Sequence, residues 1–340
     1  MHHIDSQEHA KNSILSIEDS FPVDNWKIDN IHVWPYIRIK LYFKLLTLND
    51  KKQEVEPNKS LVLSSNKVSV FLKVIKAFFA SEVFFFKLKQ KKILFFGAHF
   101  HRVLNEGKYF NRFYDSIISH HNLQDDVYMV EYQKIYESMY NDKALIALSK
   151  QLAYYKLLSK LKRNQQKKNN TIQLAEYDTF CKQLSNFKLS PEKLGISKGS
   201  LISWALKMQS LNGFYSRLYK KVKPSKIVFL GYYGYDDLYA ALIKANSNKI
   251  KTIDFQHGPQ TNVHMAFSNW SKVPNNGFNT MPKAFWTWDD ISKVNIDTWA
   301  NKIEGIKTKV VGQPYIAYWM KYQEKLGEVS DEKTIIYSMQ

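Results

Sequence analysis

Residues 252–267 read TIDFQHGPQTNVHMAF: an apolar run enters Gln256-His257-Gly258-Pro259, and a second histidine, His264, follows. An imidazole titrates near neutrality and can take the proton of a hydroxyl as that oxygen attacks an electrophile. Gly258 permits close backbone approach and Pro259 stiffens the exit, so the stretch is either a polar turn or the floor of a site. His99 and His101 form another pair. Two residues apart, they would project to opposite sides of a strand; as metal ligands they are weak, and a polar loop accounts for them. No GxGxxG stands at a strand end, and GxxxxGK[ST], GxSxG and HExxH are absent, which removes the usual glycine cradles for phosphates, the serine elbow and the zinc helix. The single cysteine, Cys181, excludes a disulfide framework and a multi-cysteine metal site. No metal site is expected.

The elements that must position these residues follow from the hydrophobic pattern. Ile93 to Phe96 is a continuous apolar run ending in Gly97, as a buried parallel strand enters its carboxyl-end loop. Tyr109 to His120 reads as a crossover helix and Val127 to Glu131 as a second strand, giving a βαβ unit. Residues 133–222 read mostly as helices. The alternation then returns, with strands at Lys226 to Leu230 and Lys251 to Phe255 around a helix from Leu238 to Asn246. Ala284 to Trp288 and Lys309 to Gly312 are short strand candidates, followed by an aromatic helix around Tyr315, Tyr318 and Trp319. The fold class is α/β with a parallel sheet and added helices. Open sheets of this kind bind ligands beyond the carboxyl ends of their strands. Four loops should therefore share one crevice: Gly97 to Arg102, Glu131 to Tyr132, Gly231 to Asp237, and Gln256 to Gln260.

Upstream, Trp34, Ile37, Leu41 and Leu45 recur at helical spacing within residues 26–46, with Pro35 near the helix start and Arg38, Lys40 and Lys44 directed away from the apolar stripe. Residues 47–66 read as a polar connector. The most apolar stretch, VSVFLKVIKAFFASEVFFFKL (68–88), is interrupted by Lys73, Lys76 and Glu82. It lacks the ~18–20 uncharged residues of a bilayer span. It is either a segment that lies on a membrane surface or a buried helix followed by a core strand.

With 49 Lys+Arg against 31 Asp+Glu, the formal net charge of +18 points to an anionic partner. Lysines crowd at 87–92 and again at 156–168. No nucleic-acid-binding module accompanies them, so nucleic acid is not expected as a partner. The first twenty residues contain no apolar core of a signal peptide, and one cysteine suits a reducing compartment.

Phe255-Gln256-His257-Gly258 followed by His264 resembles the bacterial surface-polysaccharide glycosyltransferases of the GT-B fold, a group that takes in Kdo-transferase-like and CDP-glycerol transferase-like proteins. Other features agree in order. They are Trp34-Pro35-Tyr36-Ile37-Arg38, the strand ending near His101-Arg102, Tyr232-Tyr233 before an alanine-rich helix, Met281-Pro282-Lys283-Ala284-Phe285, and Gly312-Gln313-Pro314-Tyr315. The resemblance spans residues 26–340, and the Gln-His-Gly turn is its most specific element.

That resemblance implies an inverting, nucleotide-sugar-dependent transferase of capsule, O-antigen or lipopolysaccharide synthesis, with a Rossmann-like acceptor domain. His257 would be the general base on the acceptor hydroxyl. No cofactor is implied beyond the nucleotide-activated sugar as co-substrate. The acceptor would be a glycan or an anionic lipid-linked glycan, met by a cytoplasmic protein peripheral at the inner face of the membrane. Gln256 would bond the acceptor or only satisfy the turn; Gly258 would serve backbone geometry. His264 would contact substrate or phosphate, Tyr233 and Asp236 sugar hydroxyls, and Arg102 a phosphate, with Glu131 at the crevice. Trp286, Trp288, Tyr315 and Trp319 read as packing rather than a sugar platform.

The expected organisation is a helical, membrane-proximal segment at 1–90 and a Rossmann-like acceptor domain at 91–325 with a helical insertion at 133–222. Residues 326–340 read as the start of a C-terminal donor-binding domain whose remainder is missing. The alternative is a non-catalytic, membrane-associated scaffold or subunit of polysaccharide assembly.

Overall fold

The computed structural model describes residues 2–47, 67–132, 138–152, 154–155 and 171–323. Helix α1 (His2–Ser20) turns Ala10, Ile14 and Ile17 inward, and α2 (Trp34–Leu46) buries Trp34, Ile37, Leu41 and Leu45. Between them, strands β1 (Lys27–Ile28) and β2 (Ile31–His32) form a hairpin. Asp29 and Asn30 both take positive φ there, as a tight hairpin turn requires. The helix within residues 26–46 thus begins only at Trp34. Arg38 departs from expectation: it is fully buried, and Lys40 reaches the Leu194 carbonyl at 2.9 Å. The buried face of α2 is wider than its apolar stripe.

Helix α3 (Lys67–Lys87) is one continuous element, so no strand forms within the apolar stretch. It hands the chain to β3 (Ile93–Gly97). A second hairpin, β4 (Arg102–Asn105) with β5 (Lys108–Asn111), then occupies residues expected to open a helix. Glu106 and Gly107, both at positive φ, close its turn, and α4 starts later, at Tyr114–His121. Strands β6 (Val127–Glu131) and β7 (Leu145–Ala147) follow, then β8 (Ile172–Gln173), which pairs with β1. Helices α5 (Tyr177–Leu184) and α6 (Lys198–Val222) lead to β9 (Lys226–Phe229), α7 (Asp236–Ser247) and β10 (Lys251–Phe255). The last elements are β11 (Ala284–Thr287), α8 (Asp290–Ala300), β12 (Lys307–Val310) and α9 (Pro314–Gln323). The connector at 48–66, the whole 156–168 lysine cluster and the donor-domain strand expected at 326–340 lie outside the described residues.

Seven strands form one parallel sheet in the order β12-β11-β10-β9-β3-β6-β7. This is a Rossmann-like α/β arrangement. Both faces of the central strands are covered, which is why β3, β6 and β9 read as largely apolar runs. Leu94, Phe96, Ile227 and Phe229 join the helices in one buried cluster, while Phe95, Val228 and Phe255 join Phe113 and Ile118 in another. The chain leaves β3 toward β6 but leaves β9 toward β10, so the winding reverses between β3 and β9. At such a switch point the flanking loops diverge and open a crevice.

Candidate functional site

The four loops expected to share a crevice do so. Phe100 and His101 follow β3, Tyr132 follows β6, Leu230, Gly231 and Tyr233 to Tyr235 follow β9 and His257 follows β10, and together with Phe43 of α2 they line a cavity of about 350 Å³. His101 and His257 face each other across it with ring centroids 5.9 Å apart. In the sequence His101 stands out only as one of a weak pair with His99. A 3₁₀ turn at His99–His101 instead brings it inward.

One glycine makes room for His257. Gly231 has φ +73°, and a Cβ there would lie 2.8 Å from His257 Cε1, so both conformation and space exclude a side chain. Gly258 differs: a Cβ would meet nothing within 4 Å, and its φ is not positive. Nothing in the space beside Gly258 requires a glycine there.

Burial removes water from both imidazoles and disfavours their charged forms. It lowers His257 to about 4, and it lowers His101 to about 3 with the further opposition of His257 and nearby arginines. Both rings are therefore neutral at pH 7. The Ala98 N–H donates to His101 Nδ1 at 3.3 Å, which puts the ring proton on Nε2. His101 Nε2 and His257 Nδ1 are buried without protein partners. A buried polar atom left unpaired costs about 1–3 kcal/mol, a loss that a hydrogen-bonding ligand would remove. The crevice thus offers one imidazole N–H donor and one imidazole able to accept a proton.

The remaining candidates divide between this cavity and its supports. Tyr233 lines the cavity and its hydroxyl meets His264 Nε2 at 3.3 Å. His264 Nδ1 accepts from the Ala266 N–H at 3.3 Å, so both ring nitrogens are engaged, and burial lowers the ring to about 4. His264 is a prop behind Tyr233, packed on Tyr42 and Phe267. Gln256 is buried with its amide spent internally: it donates to the Gly258 carbonyl and Ser292 Oγ and accepts from the Trp288 N–H at 2.7 Å. It satisfies the turn and ties β10 to the loop after β11.

Asp236 points away from the cavity. It accepts from Trp204 Nε1 at 2.9 Å and pairs with Lys207 at 2.5 Å, clamping α7 to α6. Arg102 is buried in an internal network. Its Nη2 lies 2.7 Å and its Nε 3.0 Å from Glu131 Oε1, and its Nη1 contacts the Tyr109 carbonyl and Asp115. With its donors committed to two carboxylates and a carbonyl, Arg102 does not present a phosphate site. Glu131 keeps one buried oxygen unpartnered, and burial raises its pKa against the pull of Arg102. It sits directly beneath Gly97, where a Cβ would come within 3.1 Å of Asn111 Nδ2.

In the sequence, Asp254 stands unmarked and Arg38 is read only as directed away from the apolar stripe and as the end of Trp34-Pro35-Tyr36-Ile37-Arg38. Asp254, on β10 three residues before His257, accepts the Tyr232 N–H at 2.8 Å and fixes the loop that carries Gly231; burial raises its carboxyl well above the usual range. Its position inside TIDFQ, an acid in an otherwise apolar strand, was the available signal. Arg38 reaches the crossover loop after His257. It donates to the carbonyls of Met265, Ser268 and Asn269 while Glu18 holds its Nε at 2.7 Å. Glu18 also accepts from Trp34 Nε1 and from Ser271, so the Trp34 to Arg38 segment is a clamp on that loop.

A larger cavity, about 810 Å³, lies on the other face of the sheet between α4 and α9, over Phe95, Val228, Phe255 and Trp286. None of the four crevice loops contributes to it. Among the described residues there is no group of three or more histidine, cysteine or carboxylate side chains able to hold a metal ion. Comparisons with protein-family models, with curated proteins and with solved structures find no match for the chain.

Proposed function

We propose that the crevice binds the acceptor of an inverting, nucleotide-sugar-dependent glycosyl transfer in bacterial surface-polysaccharide synthesis. One observation carries the reading: a neutral, partnerless histidine, His257, stands at a strand's carboxyl end beside the switch point of a Rossmann-like sheet. The Gln256-His257-Gly258 resemblance supplies the reaction class. In the transfer, the acceptor O–H proton passes to the His257 imidazole. The oxygen bonds to the anomeric carbon, and the nucleotide leaves with the electron pair of the broken bond, inverting the centre. Neutral His101, with its proton on Nε2, donates a hydrogen bond to a substrate oxygen, and Tyr233 borders the same space.

The depressed proton affinity of His257 keeps the base form available at neutral pH; an anionic donor bound nearby would raise that affinity during turnover. The test is transfer from a panel of nucleotide-sugars by the complete polypeptide and by its His257→Ala variant. Loss of the base lowers the rate by about 10²–10⁴-fold. A wild-type rate in His257→Ala would falsify the assignment. Absence of transfer together with absence of nucleotide-sugar binding would favour the scaffold reading.

A further inference from the structure

Helix α3 carries an apolar face that no other described residue covers. Phe79, Val83 and Phe86 follow at helical spacing on its outer side and are 63%, 53% and 84% exposed, with Phe78 at their edge. The opposite side is firmly seated. Phe84 and Phe85 pack on Phe214 of α6, Ser81 and Leu88 are buried, and Glu82 binds Arg217 through two contacts of 2.5 Å. The guanidinium of Arg217 also lies 4.2 Å over Phe85. These contacts fix the helix rotation, so the phenylalanines are held outward.

Charge selects the occupant. Lys76, Lys87 and Lys89 are exposed around this face, and Glu82, the acidic side chain of the helix, is already held by Arg217. A second copy laid against the face would bring two lysine rims together, whereas an anionic surface is complementary to one. No helix among the described residues is long and apolar enough to cross a membrane. Phenylalanine projecting from a lysine-bordered helix fits the boundary between headgroups and acyl chains.

We propose that α3 docks the protein on an anionic lipid bilayer, with Phe79, Val83 and Phe86 entering the interfacial region and Lys76, Lys87 and Lys89 on the headgroups. Docking at α3 requires nothing of the chemistry at His257.

The experiment is co-sedimentation of the full chain with phosphatidylcholine vesicles and with vesicles containing about one third phosphatidylglycerol. The protein is expected to partition onto the anionic vesicles only, less so in high salt. The double variant Phe79→Ser/Phe86→Ser lowers partitioning roughly 100-fold and Lys76→Glu/Lys87→Glu roughly 10-fold or more, each with an unchanged thermal midpoint. Failure of the wild-type protein to bind anionic vesicles overturns the proposal, as does equal binding by the phenylalanine variant. Light scattering that shows a dimer broken by Phe79→Ser/Phe86→Ser overturns it in favour of a second copy on this face.

Discussion

At the residue scale, the crevice depends on how closely His257 and Gly231 pass. Gly231→Ala must both abandon a φ of +73° and push aside a ring 2.8 Å away, so it is expected to destabilise the fold by about 1–3 kcal/mol and displace His257. Gly258→Ala meets open space and should change stability by less than about 0.5 kcal/mol. Urea denaturation of the two variants separates them, and equal costs would refute the packing argument. His101 gives a pH prediction with a definite sign. Its ring falls from the ordinary 6.5 to about 3 on folding, so the unfolded chain takes up the proton first on acidification. The stability held by the neutral ring is complete above pH 6.5 and is lost as pH falls from 6.5 toward 3. Replacing His101 by Asn should flatten the stability–pH curve across that interval by about 1.4 kcal/mol per pH unit relative to the wild type. The carboxyls of Asp115, Glu131 and Asp254, raised by burial, act with the opposite sign and largely cancel in that comparison. Parallel curves for the two proteins would show that His101 is not held neutral by the fold.

At the scale of elements, the buried Arg38–Glu18 pair links α1, α2 and the loop that follows His257. Arg38→Met strands Glu18 without its cation and three carbonyls without their donor, at an expected cost of about 3–5 kcal/mol. Glu18→Leu/Arg38→Met should recover part of that loss, because no unpaired charge remains. Hydrogen exchange in residues 265–271 is expected to quicken in both. A cost below about 1 kcal/mol for Arg38→Met would mean the clamp does not hold the loop. This clamp shows where sequence reading stops. Period and apolarity located α2 through Trp34, Ile37, Leu41 and Leu45, but the same rule sent Arg38 to solvent, since its partners lie on α1 and more than 200 residues downstream. Strands β3, β6, β9 and β10 were legible because a strand buried on both faces is mostly apolar. The β4–β5 hairpin was not, although Asn105-Glu106-Gly107 before an alternating Lys108-Tyr109-Phe110 was a turn signal. In the site, strand-end position identified His257 and the crevice loops. Arg102, Asp236 and Gln256 carry the same polar groups a ligand site needs, and only their internal partners show that those groups are committed.

At the scale of the molecule, the sheet and the N-terminal helices are not separable layers. Ala10, Ile14 and Ile17 of α1, Trp34 and Ile37 of α2, Phe214 of α6 and Phe96 and Phe229 of the sheet belong to one continuous buried cluster. Periodicity marks α2 as a helix but says nothing about what its apolar face meets, so only the folded chain shows α1 and α2 in one core with the sheet, α6 and α7. Deleting residues 1–20 would expose that cluster and remove Glu18 from Arg38 together. Such a chain is expected to lose the cooperative unfolding transition of the whole, not to leave an intact sheet with a missing appendage. Far-ultraviolet circular dichroism with thermal denaturation reads this directly. A truncated chain that keeps its midpoint would show that α1 rests on a core complete without it. Loss of the transition would instead mean that the crevice around His257 is held in place by a helix more than 200 residues away in the chain.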